Sequence, residues 1–347
     1  MDLSELADLG WDSFFQQQLT DEQSAAVVPV RVMNVHKSGL QIAGIDVDTQ
    51  VEPITDDEDG RATVGDWLLL NVETNRIVRR LDRKSLFKRR APGTDRREQL
   101  IAANVDTLFI VSSCNQDFNE ARLERYLAIA REAEVMALIV LTKSDLADEP
   151  QEFVRRAAKL APGVHVEAVN ALDTEALRCL EAWLGHGQTV ALLGSSGVGK
   201  STISNTLLGG SDITTQSIRD DDAKGRHTTT SRTMHHLPGG AWLLDTPGMR
   251  ELQLTDVRTG LDDVFAEITA LAAACKFVDC THEAEPGCAV RQAIDDDTID
   301  EDRLNRWRKL VKEEAYNKES IADRRARGRA LGKFYKSVIE DKKSRKN

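Results

Sequence analysis

Residues 189–207 read TVALLGSSGVGKSTISNTL: an apolar run, a loop of the form G-x-x-x-x-G-K-S, and then helix formers. No other stretch constrains the fold as tightly. A strand has to end where the glycines begin and a helix has to start where they stop, so that the loop amides converge on one point. Such a loop cradles phosphates. Gly194, Ser195, Ser196, Gly197, Val198 and Gly199 turn their N–H groups inward. Lys200 reaches the β- and γ-phosphates, the Ser201 hydroxyl reaches Mg²⁺, and Thr202 follows on the helix.

The pattern around the loop fits a parallel sheet. From Asn104, apolar strands (VDTLFIVSS, VMALIVL, VHVEAVNA, AWLLD) alternate with amphipathic helices (ARLERYLAIAREAE, QEFVRRAAKLA, TEALRCLEAWL). Upstream, five short β-branched runs between Ala25 and Val78, parted by Lys37-Ser38-Gly39, Asp59-Gly60 and Gly65-Asp66, predict a small barrel of the oligonucleotide-binding type. Four pieces are expected: an N-terminal arm (1–24, loosely ordered or a short helix), an OB-fold barrel (25–90), a nucleotide domain (95–260) and a helical zinc-binding region with a basic tail (261–347). The fold class is multidomain α/β plus β.

Two more loops follow strands. Asp245-Thr-Pro-Gly248 comes after AWLLD, where its carboxylate would hold Mg²⁺ and the Gly248 amide would meet a γ-phosphate. Thr142-Lys143-Ser144-Asp145 comes after VMALIVL and has the form of a guanine-reading loop. A carboxylate there accepts two hydrogen bonds from guanine, a pattern adenine does not offer. Thr142 stands where Asn is usual, which leaves one loop contact unexplained. Asn170 and Ala171 occupy the place of a second base loop.

The order of these loops is unusual. In ordinary GTPases the base loop follows the phosphate loop, whereas here Asp145 precedes Gly194. Loops capping strands on one edge of a parallel sheet keep their places when the chain is permuted, so the order reads as a circularly permuted GTPase domain. Between the phosphate loop and DTPG lies Gly225-Arg-His-Thr-Thr-Thr230. Thr229 is the favoured switch ligand to Mg²⁺, with Thr228 and Thr230 left open. Met249 occupies the position of the water-orienting Gln and has no group for that task, so His227 is the internal candidate, with a purely structural role left open.

Cys275-x4-Cys280-x-His282-x5-Cys288 gathers three of the five cysteines. Three thiolates and an imidazole form a closed set suited to one structural Zn²⁺. Cys114 and Cys179 read as buried packing residues. The few, clustered cysteines fit a reducing cytoplasm. No apolar run is long enough to cross a bilayer, and no secretory leader is expected. The net charge is −11, yet residues 324–347 hold ten Lys or Arg against two acids. That asymmetry, and the basic run from Arg83 to Arg90, suggest local contact with a polyanion.

The phosphate loop after TKSD, GRHTTT, DTPGMRE, the Cys/His cluster, the N-terminal barrel and the phrase AANVDTLFIV together resemble the circularly permuted, small-ribosomal-subunit-dependent GTPases known as RsgA. The likeness runs from about Ala25 to the basic tail. It implies a cytoplasmic, non-membrane factor, acting as a monomer late in assembly of the small ribosomal subunit. Such a factor binds rRNA near the decoding region, with subunit-stimulated GTP hydrolysis to GDP promoting release. Two alternatives stay open: a P-loop ATPase or kinase acting on a small molecule, and a non-hydrolysing nucleic-acid-binding module.

Overall fold

The computed structural model describes residues 4–19, 26–36, 39–53, 61–90, 98–209, 232–245 and 257–318. Residues 4–9 form a 3₁₀ turn, and α1 (Ser13–Gln16) is a single helical turn whose N-cap, Asp12, accepts from the Phe14 N–H. Both turns put apolar side chains on one side. Leu6, Trp11 and Phe15 are buried against Trp67, Leu69 and Leu81. Residues 4–19 are therefore docked, and of the two expectations for this segment the short helix holds. Burying each such side chain is worth about 1.5–3 kcal/mol, which offsets part of the cost of ordering the segment.

β1 (Val27–His36), β2 (Gly39–Gly44), β3 (Val47–Val51), β4 (Trp67–Asn71) and β5 (Arg76–Arg80) form an antiparallel sheet in the order β3-β2-β1-β4-β5. LQIAGIDV reads as one strand but is split, because the chain turns at Ile45-Asp46 with Asp46 left-handed (φ 54°). Valines 28, 30 and 32 of β1 and Leu68 and Leu70 of β4 point inward to a core shared with Leu40, Ile42 and Val51. The basic run that follows is itself structured: β6 (Leu86–Arg90) pairs with β7 (Glu98–Ala103).

The parallel sheet contains β8 (Thr107–Ser113), β9 (Met136–Thr142), β10 (His165–Ala168), β11 (Thr189–Gly194) and β13 (Trp242–Asp245), in the order β10-β9-β8-β11-β13. Alternate residues serve opposite faces. Leu108, Ile110, Ile139, Leu141, Ala191 and Leu193 face one core. Phe109, Val111, Leu138, Val140 and Val190 face the other. The first face is covered by α2 (Glu120–Glu132) and α3 (Pro150–Ala158). The second is covered by a 3₁₀ segment (Ala176–Trp183) and α4 (Lys200–Leu207).

That 3₁₀ segment corrects one expectation. Cys179 is exposed, because the tighter winding turns Leu177 and Leu180 inward and leaves Cys179 outside, its thiol donating to the Ala176 carbonyl at 3.3 Å. Cys114 is buried as expected.

β12 (Arg232–His236) was not legible in the sequence. It lies antiparallel to β13 and, on its other edge, antiparallel to β1. Barrel and nucleotide sheet are thus one eleven-stranded sheet. Downstream, α5 (Arg258–Val264) crosses the expected boundary at 260/261 and packs on α2. It is followed by α6 (Ala266–Ala273), α7 (Ala289–Asp295) and α8 (Glu301–Lys318).

Two buried charges hold these parts together. Arg31, 1% exposed, donates from Nη2 to Thr189 Oγ1 (2.8 Å) and the Asn104 carbonyl (3.3 Å). Its Nε donates to the Gly65 carbonyl (3.4 Å) and its Nη1 to the Leu9 carbonyl. Burial pushes its pKa down to about 10, against the pull of Asp106 and Asp66. Glu124 of α2 is fully buried and accepts from Arg303 (2.7 Å) and Arg306 (2.9 Å) of α8. Burial raises its carboxyl, with the two guanidiniums opposing.

Replacing Arg31 with Met would leave the Leu9 and Asn104 carbonyls and the Thr189 hydroxyl without their donor, while the Gly65 carbonyl keeps its bond from Asn104 Nδ2 (2.9 Å). Arg31→Met should lower unfolding stability by about 3 kcal/mol or more. Urea denaturation checks this, and a loss within about 1 kcal/mol, the range of an exposed pair, would contradict the hub.

Candidate nucleotide site and candidate metal centre

Every parallel strand points its carboxyl end to the same edge of the sheet. That edge therefore collects TKSD after β9, Asn170-Ala171 after β10, the glycine loop after β11 and Asp245 at the end of β13. β8 and β11 are neighbours, yet the chain leaves them in opposite directions, toward β10 and toward β13. The glycine loop sits at this switch point, where ligands bind in sheets of this kind.

Local sterics shape the loop. A Cβ on Gly194 would lie 2.2 Å from the Val111 carbonyl oxygen, so only glycine lets β11 leave the sheet there. Gly199, the N-cap of α4, is left-handed (φ 94°) and turns the chain into the helix, beginning with the Ile203 N–H bond to the Gly199 carbonyl (3.0 Å). Lys200 Nζ folds back over the loop, donating to the Gly194 carbonyl at 2.7 Å and to the Ser195 carbonyl. Ser195, Lys200, Ser201 and Thr202 are half-buried, Val198 is buried, and Ser196 and Gly197 are exposed at the tip.

Thr142 resolves the contact that the sequence left unexplained. It is fully buried, and its hydroxyl lies 2.6 Å from the Val198 carbonyl and 3.1 Å from the Ser112 carbonyl. One side chain thus ties the end of β9 to the glycine loop and to β8. The missing Cβ of Gly199 makes room for it, since an added carbon there would lie 3.1–3.3 Å from Thr142. Lys143 is left-handed (φ 58°), the Ser144 N–H bonds the Val169 carbonyl (3.3 Å), and Asp145 is exposed. Asn170 Oδ1 accepts from the Leu172 N–H (3.0 Å), and the Ala171 carbonyl accepts from Thr206 Oγ1 of α4 (2.8 Å). Both candidate base loops are therefore braced on the phosphate loop or its helix.

Hard oxygen donors suit Mg²⁺. Ser201, in the first turn of α4, and Asp245, the last residue of β13, share this edge, and β13 pairs with β11. The remaining candidates, His227, Thr228, Thr229, Thr230 and Gly248, lie outside the described residues, as does the basic tail. Two residues of the basic run are already engaged. Arg83 holds Asp66 with two bonds (2.7 and 2.8 Å), and Lys84 Nζ meets Asp12.

The Cys/His cluster forms a closed centre. The ligand atoms of Cys275, Cys280, His282 and Cys288 all lie within 4.8 Å of one another. His282 Nδ1 is 3.5 Å from the Sγ atoms of both Cys275 and Cys288, which are 3.8 Å apart. A zinc tetrahedron, with Zn–S near 2.3 Å and Zn–N near 2.0–2.1 Å, has edges of about 3.5 Å (N to S) and about 3.8 Å (S to S). The donor set fits that ion. Burial, with Arg308 nearby, pushes the His282 pKa down, which favours the neutral ligand form. His282 itself is left-handed (φ 60°), and Arg308 of α8 caps the loop by donating to the Thr281 carbonyl (3.1 Å) and to that of His282. The Arg291 N–H points at Cys288 Sγ (3.4 Å), a hydrogen bond that favours thiolate.

The RsgA GTPase family profile matches residues 80–255. A protein of Vibrio parahaemolyticus named small ribosomal subunit biogenesis GTPase RsgA 2 is 49% identical over 340 residues, covering 98% of this chain and 94% of that one. A Mesorhizobium japonicum protein named small ribosomal subunit biogenesis GTPase RsgA is 51% identical over 318 residues, covering 90% of each. Among solved structures, YjeQ from Thermotoga maritima aligns with a TM-score of 0.60 at 23% identity, covering 83% of this chain and 98% of that one. YloQ, described as a circularly permuted GTPase, aligns with a TM-score of 0.59 at 20% identity, covering 87% of this chain and 99% of that one. These two share the fold.

Two outcomes follow from the site. Thr142→Val keeps the shape but strands the Val198 carbonyl, which should weaken GDP binding by about tenfold, measured by calorimetry. Unchanged affinity would mean the bridge is idle. Cys280→Ala should abolish bound zinc in elemental analysis and lower the stability of α6 and α7, with GDP affinity within about twofold of the parent.

Proposed function

The chain belongs to the RsgA GTPase family, and from that premise we propose that it hydrolyses GTP to GDP and phosphate as a late maturation factor of the small ribosomal subunit. The sheet edge supports this most directly: one rim gathers a loop able to read guanine, a loop able to hold phosphates and a strand-end carboxylate. In this reading the guanine edge meets Asp145, with Lys143, Ser144, Asn170 and Ala171 around the base. The phosphates lie on residues 194–202. Ser201, Asp245 and Thr229 would hold Mg²⁺, which would supply positive charge against the phosphates. Lys200 and the Gly248 amide face the transferred phosphoryl group.

Water is the weak point of this constellation. Met249 does not orient it, and His227 stands as the chain's own candidate. Slow turnover follows unless docking on the subunit completes the site. The factor works in the cytoplasm as a monomer, and no helix among the described residues is long and apolar enough to cross a membrane. rRNA near the decoding region would meet the barrel, the zinc-bearing loop and the basic tail, with hydrolysis promoting departure.

Steady-state phosphate release, with and without purified small subunits and with an ATP control, tests all of this at once. GTP-selective turnover should rise strongly with subunits. Equal use of ATP would favour a small-molecule ATPase or kinase, and no turnover under either condition would leave a nucleotide-holding RNA-binding module.

A further inference from the structure

Asn34 lies near the end of β1, in the barrel, yet its side chain serves the other half of the molecule. Up to Arg31 the free edge of β1 pairs with β4. After a bulge between Val32 and Asn34, the same edge pairs with β12, in the register Asn34↔Thr233 and Val35↔Arg232. Asn34 Nδ2 donates to Thr233 Oγ1 at 2.9 Å. Its Oδ1 is buried with no hydrogen-bond partner among the described residues, a loss of about 1–3 kcal/mol that barrel packing alone does not explain.

The next register step reaches the nucleotide edge. Thr233 is opposite Asp245, so Asn34, Thr233 and Asp245 stand in line across three strands. On the far side of β13 the ladder with β11 stops at Ala191↔Leu244, one residue short of Asp245. Among the described residues, the backbone at Asp245 is therefore held sideways by β12 alone. β12 in turn rests on β1, which Arg31 pins to Thr189 at the start of β11. The strut begins and ends on the strands that frame the phosphate loop.

We propose that Asn34 is a positioning residue for the magnesium end of the nucleotide site: by holding Thr233 it fixes where β13 delivers Asp245. The inference rests on the GTPase reading and extends it, because it makes the barrel part of the metal site. A polyanion bound to the barrel would act on nucleotide through this line of residues.

The test uses the full chain, a fluorescent GDP analogue and a magnesium titration. Asn34→Leu and Thr233→Val each remove one side of the bond without changing shape much. Each should raise the Mg²⁺ concentration needed for half-maximal nucleotide retention by about two- to tenfold, with affinity in chelator unchanged. The double variant should be no worse than either single one. Amide exchange at Leu243–Asp245 should quicken in each variant, a readout that needs no metal. Unaltered magnesium midpoints in folded variants, or additive losses in the double one, would overturn the proposal. If the parent chain bound the analogue with no response to Mg²⁺, the GTPase reading would fail first, and recognisably so.

Discussion

A single guanidinium with almost no water around it sets the geometry of the whole molecule. Arg31 gathers a carbonyl of the N-terminal segment, one from the turn before β4, one from the entry to β8 and a hydroxyl at the start of β11. Taking such a charge from water costs several kcal/mol, and the cost is met only because four acceptors converge on it. Asp66, the carboxylate that would otherwise compete for it, is instead gripped by Arg83. The fork of Arg31 therefore stays turned toward backbone, where it locks position as well as energy. Exposed pairs such as Arg155–Glu152 and Arg178–Glu175 contribute little by comparison.

The C-terminal helices depend on a second charge, Glu124, and through it on the same sheet. Arg303 and Arg306 reach it from α8, while Arg308, two residues further along that helix, caps the zinc loop. One helix thus grips the nucleotide domain and the metal-bearing loop together. A zinc ion on the Cys/His set would fix the loop locally, and the ion pairs orient it against the sheet. A nucleotide factor that must fit a large surface gains from such a frame, since little ordering remains to be done on contact.

Legibility in the sequence followed the range of the interaction. The glycine loop, the cysteine spacing and the buried strands are local patterns, and their chemistry depends on neighbours in sequence. Thr142 looked like a defect when judged against Asn, because the hydroxyl's acceptors, Val198 and Ser112, are far away along the chain. β12 (RTMHH) is short and polar, and only pairing on both edges makes it a strand. Cys179 misled because a 3₁₀ turn and an α-helix bury different residues from the same letters. The N-terminal segment left loose order and a short helix both open, because Leu6, Trp11 and Phe15, spread over two short turns and the link between them, carry no period. Arg83 and Lys84 each meet an acid of this chain, Asp66 and Asp12, and neither pairing shows in the local spacing.

The pairing of β1 with β12 also governs how the chain can be made. Asn34 and Thr233 are 199 residues apart. At about 5–20 residues per second, synthesis takes roughly 10–40 s to span that distance. Throughout that time the end of β1 has an unpaired edge, the kind of surface that recruits other strands. The bulge after Val32 twists that stretch away from a flat template while it waits. Permuting a nucleotide domain behind a barrel therefore imposes a kinetic burden as well as a new order of loops: the first strand made is among the last to be completed.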